Sequence, residues 1–118
     1  ISGAVKTVYI VPGAGDDFLL QYLAQAGINL ITGVPALAEL QSQWVATLGF
    51  DFAAALRQAW PSLLAGKGGL EFEPPLTIEN INPAILTTGR QRLVEKTRAE
   101  LEAGYIDTGV DPLTGEMR

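Results

Sequence analysis

Apolar positions in this chain follow two rhythms. Short β-branched or aromatic runs closed by glycine read as strands, and stretches with apolar residues three and four apart read as helices. The first unit runs from Val5 to Gly27. Thr7 to Val11 suits a pleated, buried surface, and Pro12, Gly13 and Gly15 stop it. Asp16 or Asp17 can then cap a helix, because a carboxylate accepts from its free N–H groups. In that helix Phe18, Leu19, Leu20, Tyr22, Leu23 and Ala26 leave only Gln21 and Gln25 as a polar line. This predicts cover on more than one side, from the sheet and a neighbouring helix or from a partner. Gly27 is placed to end the helix, and Ile28 to Thr32 reads as a second buried strand bounded by Gly33.

The rhythm repeats. Pro35 suits the first turn of a helix in ALAELQSQ, and Trp44 to Leu48 reads as a third strand ended by Gly49. Asp51 is the expected N-cap of a helix from Phe52 to Ala65, with Phe52, Leu56, Trp60, Leu63 and Leu64 on one face. Pro61 costs on the order of 3 kcal/mol in an unkinked helix, which predicts a kink or two shorter pieces. Strand–helix units joined head to tail imply parallel strands with right-handed crossovers. The expected fold class is therefore α/β: three layers, with a mostly parallel sheet flanked by helices, in a single lobe over residues 1–118.

From Leu70 the pattern loosens. LEFE alternates like a half-exposed strand, but Pro74-Pro75 confines it to an edge or a crossing segment. LTIENI resumes the alternation, and Asn82-Pro83 marks a turn. Thr88 and Gln91 fit a capping box. Leu93, Val94, Thr97 and Leu101 stripe a last helix closed by Gly104, with Lys96–Glu100 and Arg98–Glu102 as i, i+4 pairs. A short strand at Tyr105-Ile106 is expected to lead into a fraying tail over 111–118, where Asp111-Pro112 and Thr114-Gly115 signal turns.

Composition narrows the functions open to such a domain. With 118 residues, 47% of them hydrophobic and 18% charged, the chain is expected to be one folded, soluble domain. No apolar run reaches the roughly 18 to 20 residues of a membrane span. The start, ISGAVK, has neither a basic segment nor an initiator Met, so the chain is expected to be an excerpt. Cys and His are both absent, which removes thiolate chemistry, the commonest general base and the commonest metal ligand. No catalytic residue, metal ligand set or cofactor is predicted. A net charge of −5 argues against nucleic acid, and Arg90, Arg92, Lys96 and Arg98 alternate with Glu95, Glu100 and Glu102 as a solvated helix face does.

The glycine loop after the first strand is the strongest candidate site. Gly13, Ala14 and Gly15 would let backbone N–H groups approach a phosphate, but Phe18 occupies the third glycine position of the dinucleotide fingerprint and no P-loop lysine follows. Asp16 and Asp17 also put carboxylates where the phosphate would sit. At about 4 Å, two like charges repel by roughly 4 kcal/mol at an effective dielectric near 20. A neutral, polyol or cationic ligand suits the loop better, and simple helix capping is the competing role for both aspartates. A phosphoacceptor site is excluded because the second and third strands end in Thr32-Gly33 and Leu48-Gly49 without an aspartate. Paired carboxylates for glycoside hydrolysis can be drawn from Asp16, Asp17, Asp51 or Glu79, at separations the sequence does not fix. Trp60 reads as core, and Trp44 is open between edge packing and a surface role.

Three stretches carry a family resemblance. VYIVPGAGDDFLLQYLAQAGINLITG, WVATLGFDFAAALRQAWPSLLAGKGG and RLVEKTRAELEAGYID resemble, in order, the carboxyl-terminal lobe of the basic membrane lipoprotein (BMP) family. These are extracytoplasmic substrate-binding proteins of ABC transporters. The resemblance implies one lobe of a type I periplasmic-binding-protein-like fold, with a second, N-terminal lobe of the same protein across a cleft and a nucleoside or other small polar ligand between them. It also implies ABC-transporter membrane subunits as partners and an extracytoplasmic location, anchored through a lipidated N-terminus upstream of Ile1. The cleft positions it implies are Gly13, Ala14, Gly15, Asp16, Gly33, Val34, Thr47 and Phe50. Two of them depart from the family's pattern: Gly33-Val34-Pro35 stands where an aspartate is common, and Thr47 to Phe50 where a serine and then a lysine are common. The alternative is a flavodoxin-like interaction or regulatory domain, dimerising through Leu19, Leu20 and Leu23 of its apolar first helix.

Overall fold

The computed structural model describes residues 3–111 and 113–118. Its architecture is the α/β one that the alternation predicts: a four-stranded, mostly parallel, open sheet flanked by helices. The strands are β1 (Thr7–Ile10), β2 (Asn29–Thr32), β3 (Trp44–Phe50) and β4 (Leu76–Glu79), and they lie in the order β1-β2-β3-β4. β1, β2 and β3 run parallel, and β4 returns antiparallel along β3. The helices are α1 (Asp17–Gln25), α2 (Phe52–Leu64) and α3 (Thr88–Glu102). The chain divides into two compact units, one up to Leu86 and one from Thr87 to Arg118.

The core of the first unit lies on one sheet face. Register sets Val8 beside Leu30 and Ile10 beside Thr32, so these side chains share a face. Leu20 and Leu23 of α1 close over it with Ile28, Leu40 and Trp44. Gly27 makes the tight entry from α1 to β2 possible. It sits at φ +76°, a region L-residues avoid, while Ile28 N–H bonds Leu23 C=O at 3.0 Å and Gly27 N–H bonds Ala24 C=O. Ile28 and Leu23 are both buried, which supplies the apolar contact that accompanies this helix ending.

β3 differs from its expected form in two ways. It runs through Gly49 to Phe50 instead of ending there. A Cβ on Gly49 would lie 3.1 Å from Thr77 Oγ1, so this glycine marks the close approach of β4 and not a strand end. The second difference is a register shift: Trp44 pairs with Leu30 but Ala46 pairs with Ile31, leaving Val45 as an extra residue. The bulge brings Trp44 and Thr47 to the same face although they are three residues apart. Trp44 is fully buried there, which decides its role as core.

Other elements correct the sequence reading. ALAELQSQ forms only a 3-10 turn at Ala38–Leu40, with successive bonds Leu40 N–H to Leu37 C=O and Gln43 N–H to Leu40 C=O. Leu40 is the one residue of that turn to be buried, too little anchorage for a short helix. α2 is one helix across Pro61 and not two pieces. Arg57 and Pro61 are both exposed, so water can take the carbonyl that the missing N–H frees. Trp60, expected in the core, is 54% exposed, and α2 has no buried residue. α1 is covered on one side only: Phe18 and Tyr22 are exposed while Leu20 and Leu23 are core. The pairing surface expected for α1 is therefore not exposed as a set. Residues 70–75 carry no strand.

In the second unit, Thr87 takes the N-cap position of α3 and makes no side-chain cap bond, so Thr88 is already helical and does not stand at the cap position that the expected capping box requires. Lys96 pairs with Glu100 at 3.7 Å, and Arg98 pairs with Glu95 at 2.9 Å. No strand forms at 105–106. Beyond α3, Val110 bridges Met117, with Asp111 N–H on Glu116 C=O and Arg118 N–H on Gly109 C=O, a small hairpin where fraying was expected. Pro112, part of the expected Asp111-Pro112 turn, lies outside the described residues.

Candidate functional site

The loops that leave the carboxyl ends of β1 and β2 meet. Val11-Pro12-Gly13-Ala14 is a tight turn, with Ala14 N–H on Val11 C=O at 3.0 Å and Gly13 at φ +81°. Proline second and a positive-φ glycine third are what a type II turn requires. The next loop packs against it: a Cβ on Gly33 would fall 2.4 Å from Cγ of the Pro12 ring. Only glycine fits there. Gly33 is thus a packing residue between two loops as well as a strand end.

Beyond the turn, the backbone enters α1 under the control of Asp16. Its Oδ1 accepts from Leu19 N–H at 3.0 Å, so Asp16 and not Asp17 is the N-cap. Gly13, Ala14, Gly15, Asp16 and Leu19 line an open recess of about 400 Å³. Gly15 is held close, since a Cβ there would meet Leu19 Cδ2 at 2.9 Å and Ile10 Cγ2 at 3.4 Å. The recess combines a helix N-terminus with the Asp16 carboxylate, and Asp17 adds a second negative charge in the first turn of α1. The cap already uses one of the helix's free N–H groups and adds negative charge beside the rest, which disfavours phosphate and favours hydroxyl or cationic groups.

A buried hydroxyl network fixes the second loop. Thr32 Oγ1 donates to Val34 C=O at 2.7 Å and accepts from Val34 N–H at 3.3 Å. Thr47 Oγ1 donates to the same carbonyl at 3.4 Å, and it accepts from Trp44 Nε1 and from Asn80 Nδ2, each at 3.2 Å. A hydroxyl has one proton to give and two lone pairs, so Thr47 is saturated by the protein itself. It is 7% exposed, and its role in this geometry is to hold Val34 in place. Asn80 reaches it from a backbone at φ +48°, the only positive φ outside glycine among the described residues.

The structure brings four of the eight sequence-predicted positions, Gly13 to Asp16, together around the recess; Gly33 packs against the Pro12 ring at its turn, and Val34 is held by Thr32 and Thr47 in the loop that follows. Phe50 stands apart from the recess. It is 56% exposed at the end of β3, paired with Leu76, and its ring contacts Phe52 at a centroid distance of 6.2 Å. No family model, curated protein or solved structure matches this chain. Sequence reasoning missed Thr32, Asn80 and Leu19. Asn80 was findable in principle, because asparagine directly after a strand is among the few residues that tolerate positive φ. Thr32 was recognised as a strand residue, and its place just before Gly33 is a local signal for a hydroxyl that bonds the backbone two residues on. Among the described residues no group of His, Cys, Asp and Glu is placed to hold a metal ion, and no helix is long and apolar enough to cross a membrane.

Proposed function

We propose that this chain is one wall of a small-molecule binding cleft, in an extracytoplasmic solute-binding component of an ABC transporter, and that it has no catalytic role. The observation that supports this is the convergence of the β1 and β2 loops at the carboxyl ends of neighbouring parallel strands, beside the open recess at the N-terminus of α1. Pro12 against Gly33, and Val34 held by Thr32 and Thr47, preorganise those loops before any ligand arrives. The resemblance to the BMP family's carboxyl-terminal lobe points the same way. In this reading the ligand is small and polar, a nucleoside or another neutral or cationic polyol-like molecule. It lies over Gly13 to Asp16 and Gly33-Val34, and an N-terminal lobe supplies the opposite wall.

The test is calorimetric titration of the protein with a panel of nucleosides, neutral sugars and cationic amino acids, repeated on Asp16→Asn and Asp16→Ala. The asparagine keeps an acceptor for Leu19 N–H and removes the charge, so it separates ligand contact from capping. Loss of affinity by about tenfold or more in both variants supports the reading, in line with one lost polar contact of 1.4 kcal/mol or above. Unchanged affinity in both would return Asp16 to the role of helix cap.

A further inference from the structure

α2 is mounted with its bulky side outward. Its half-buried residues are the small ones, Ala54, Ala55, Ala59 and Ser62, whereas Phe52, Leu56, Trp60, Leu63 and Leu64 are 70%, 54%, 54%, 52% and 73% exposed. At 100° per residue those five fall within about a third of the helix circumference, so they form one stripe. Phe50 extends it through its ring contact with Phe52. An isolated helix of this length is marginal in water, and a proline within it makes it more so. Its inward face of alanines and a serine buries little. The stripe is the main reserve of apolar surface that could hold α2 in place.

From the stripe we infer that α2 is a self-association surface, on which two copies of this chain pair across a two-fold axis through their α2 helices. Three features favour a second copy. The stripe offers on the order of 600 Å² of apolar side-chain surface per copy. Doubled, this reaches the lower end of the roughly 1,200 to 2,000 Å² that specific interfaces bury. The only ionisable side chain on α2 is Arg57, and it is already engaged by Asp51 at 3.7 Å, so apposing two identical helices brings no unpaired like charges together. The stripe is also self-complementary by length: with the two helices antiparallel, Leu56 and Trp60 lie at the centre and Phe52 and Leu63 at the ends, as an isologous contact requires. The inference does not depend on the cleft reading, because none of these residues lines the recess beside Asp16.

Sedimentation velocity on the whole chain across a concentration series tests it, with tryptophan emission read in parallel. Trp44 is already buried, so a concentration-dependent blue shift would report Trp60. The expected result is a monomer–dimer equilibrium that tightens with added salt, since each copy carries a net charge of −5. The variant Leu56→Glu with Trp60→Glu should weaken it by 100-fold or more, with an unchanged far-ultraviolet circular dichroism spectrum. Phe18→Glu, on the exposed side of α1, should leave it intact. A chain that stays monomeric to several hundred micromolar overturns the inference. So does a dimer that survives the α2 variant, or one that Phe18→Glu abolishes.

Discussion

α1 and α2 are built from similar residues and sit in opposite environments. Both follow a strand, both are capped by an aspartate whose Oδ1 accepts from the N–H three residues on, and both carry several large apolar side chains. α1 buries Leu20 and Leu23 at 3% and 5% exposure, and α2 buries nothing. The difference follows from what each helix meets. α1 packs Leu20 and Leu23 into one core with Ile10, Leu30 and Trp44, whereas α2 turns alanines inward. Periodicity identifies a face that needs cover, but it does not say whether the cover comes from the same chain.

The contrast can be broken by mutation. The largest expected effect is Leu23→Ala, which opens a cavity in the core and should lower unfolding free energy by about 2 to 5 kcal/mol in urea titration. A loss under 1 kcal/mol would mean that α1 is not docked as described. Next come the two caps. Asp16→Ala should cost about 1 kcal/mol globally, because α1 unfolds with the core. Asp51→Ala removes a comparable bond at 2.8 Å from a helix with no buried residue, so hydrogen exchange in α2 should accelerate while the global midpoint shifts less. Its exposed partner Arg57 adds little to either number. The smallest effect is expected for Leu63→Ala: at concentrations where the chain is monomeric, stability should change by less than about 0.5 kcal/mol. A cost as large as that of Leu23→Ala in the monomer would show that α2 has a packed face within one copy.

Much of the fold was legible because strand-forming runs and glycine stops are local signals. β1, β2 and α1 lie close to where TVYIV, INLIT and the residues after Asp16 predict them, and Gly27 and Gly104 end helices as expected. What failed was non-local. Gly49 looks like a stop because the approach of Thr77, 28 positions later, cannot be seen from its neighbours. Trp60 looks like core because a stripe carries no record of which way its helix is mounted. Trp44 could be placed only once the bulge at Val45 set it opposite Leu30. The site divides the same way. The turn at Pro12-Gly13 and the cap at Asp16 are written in consecutive residues, whereas the Thr32–Val34–Thr47–Asn80 network joins three segments and is visible only in the fold.

That network and the loops it positions make the cleft reading testable at single residues. The most direct measurement is amide chemical-shift mapping of the isotopically labelled chain, titrated to millimolar concentrations with the same nucleosides, sugars and cationic amino acids. At least one probe is expected to shift Gly13, Ala14, Gly15, Asp16, Gly33 and Val34 together, with Phe18 and Tyr22 unmoved. Saturating shifts elsewhere on the chain, or none at these six residues with any probe, would contradict it.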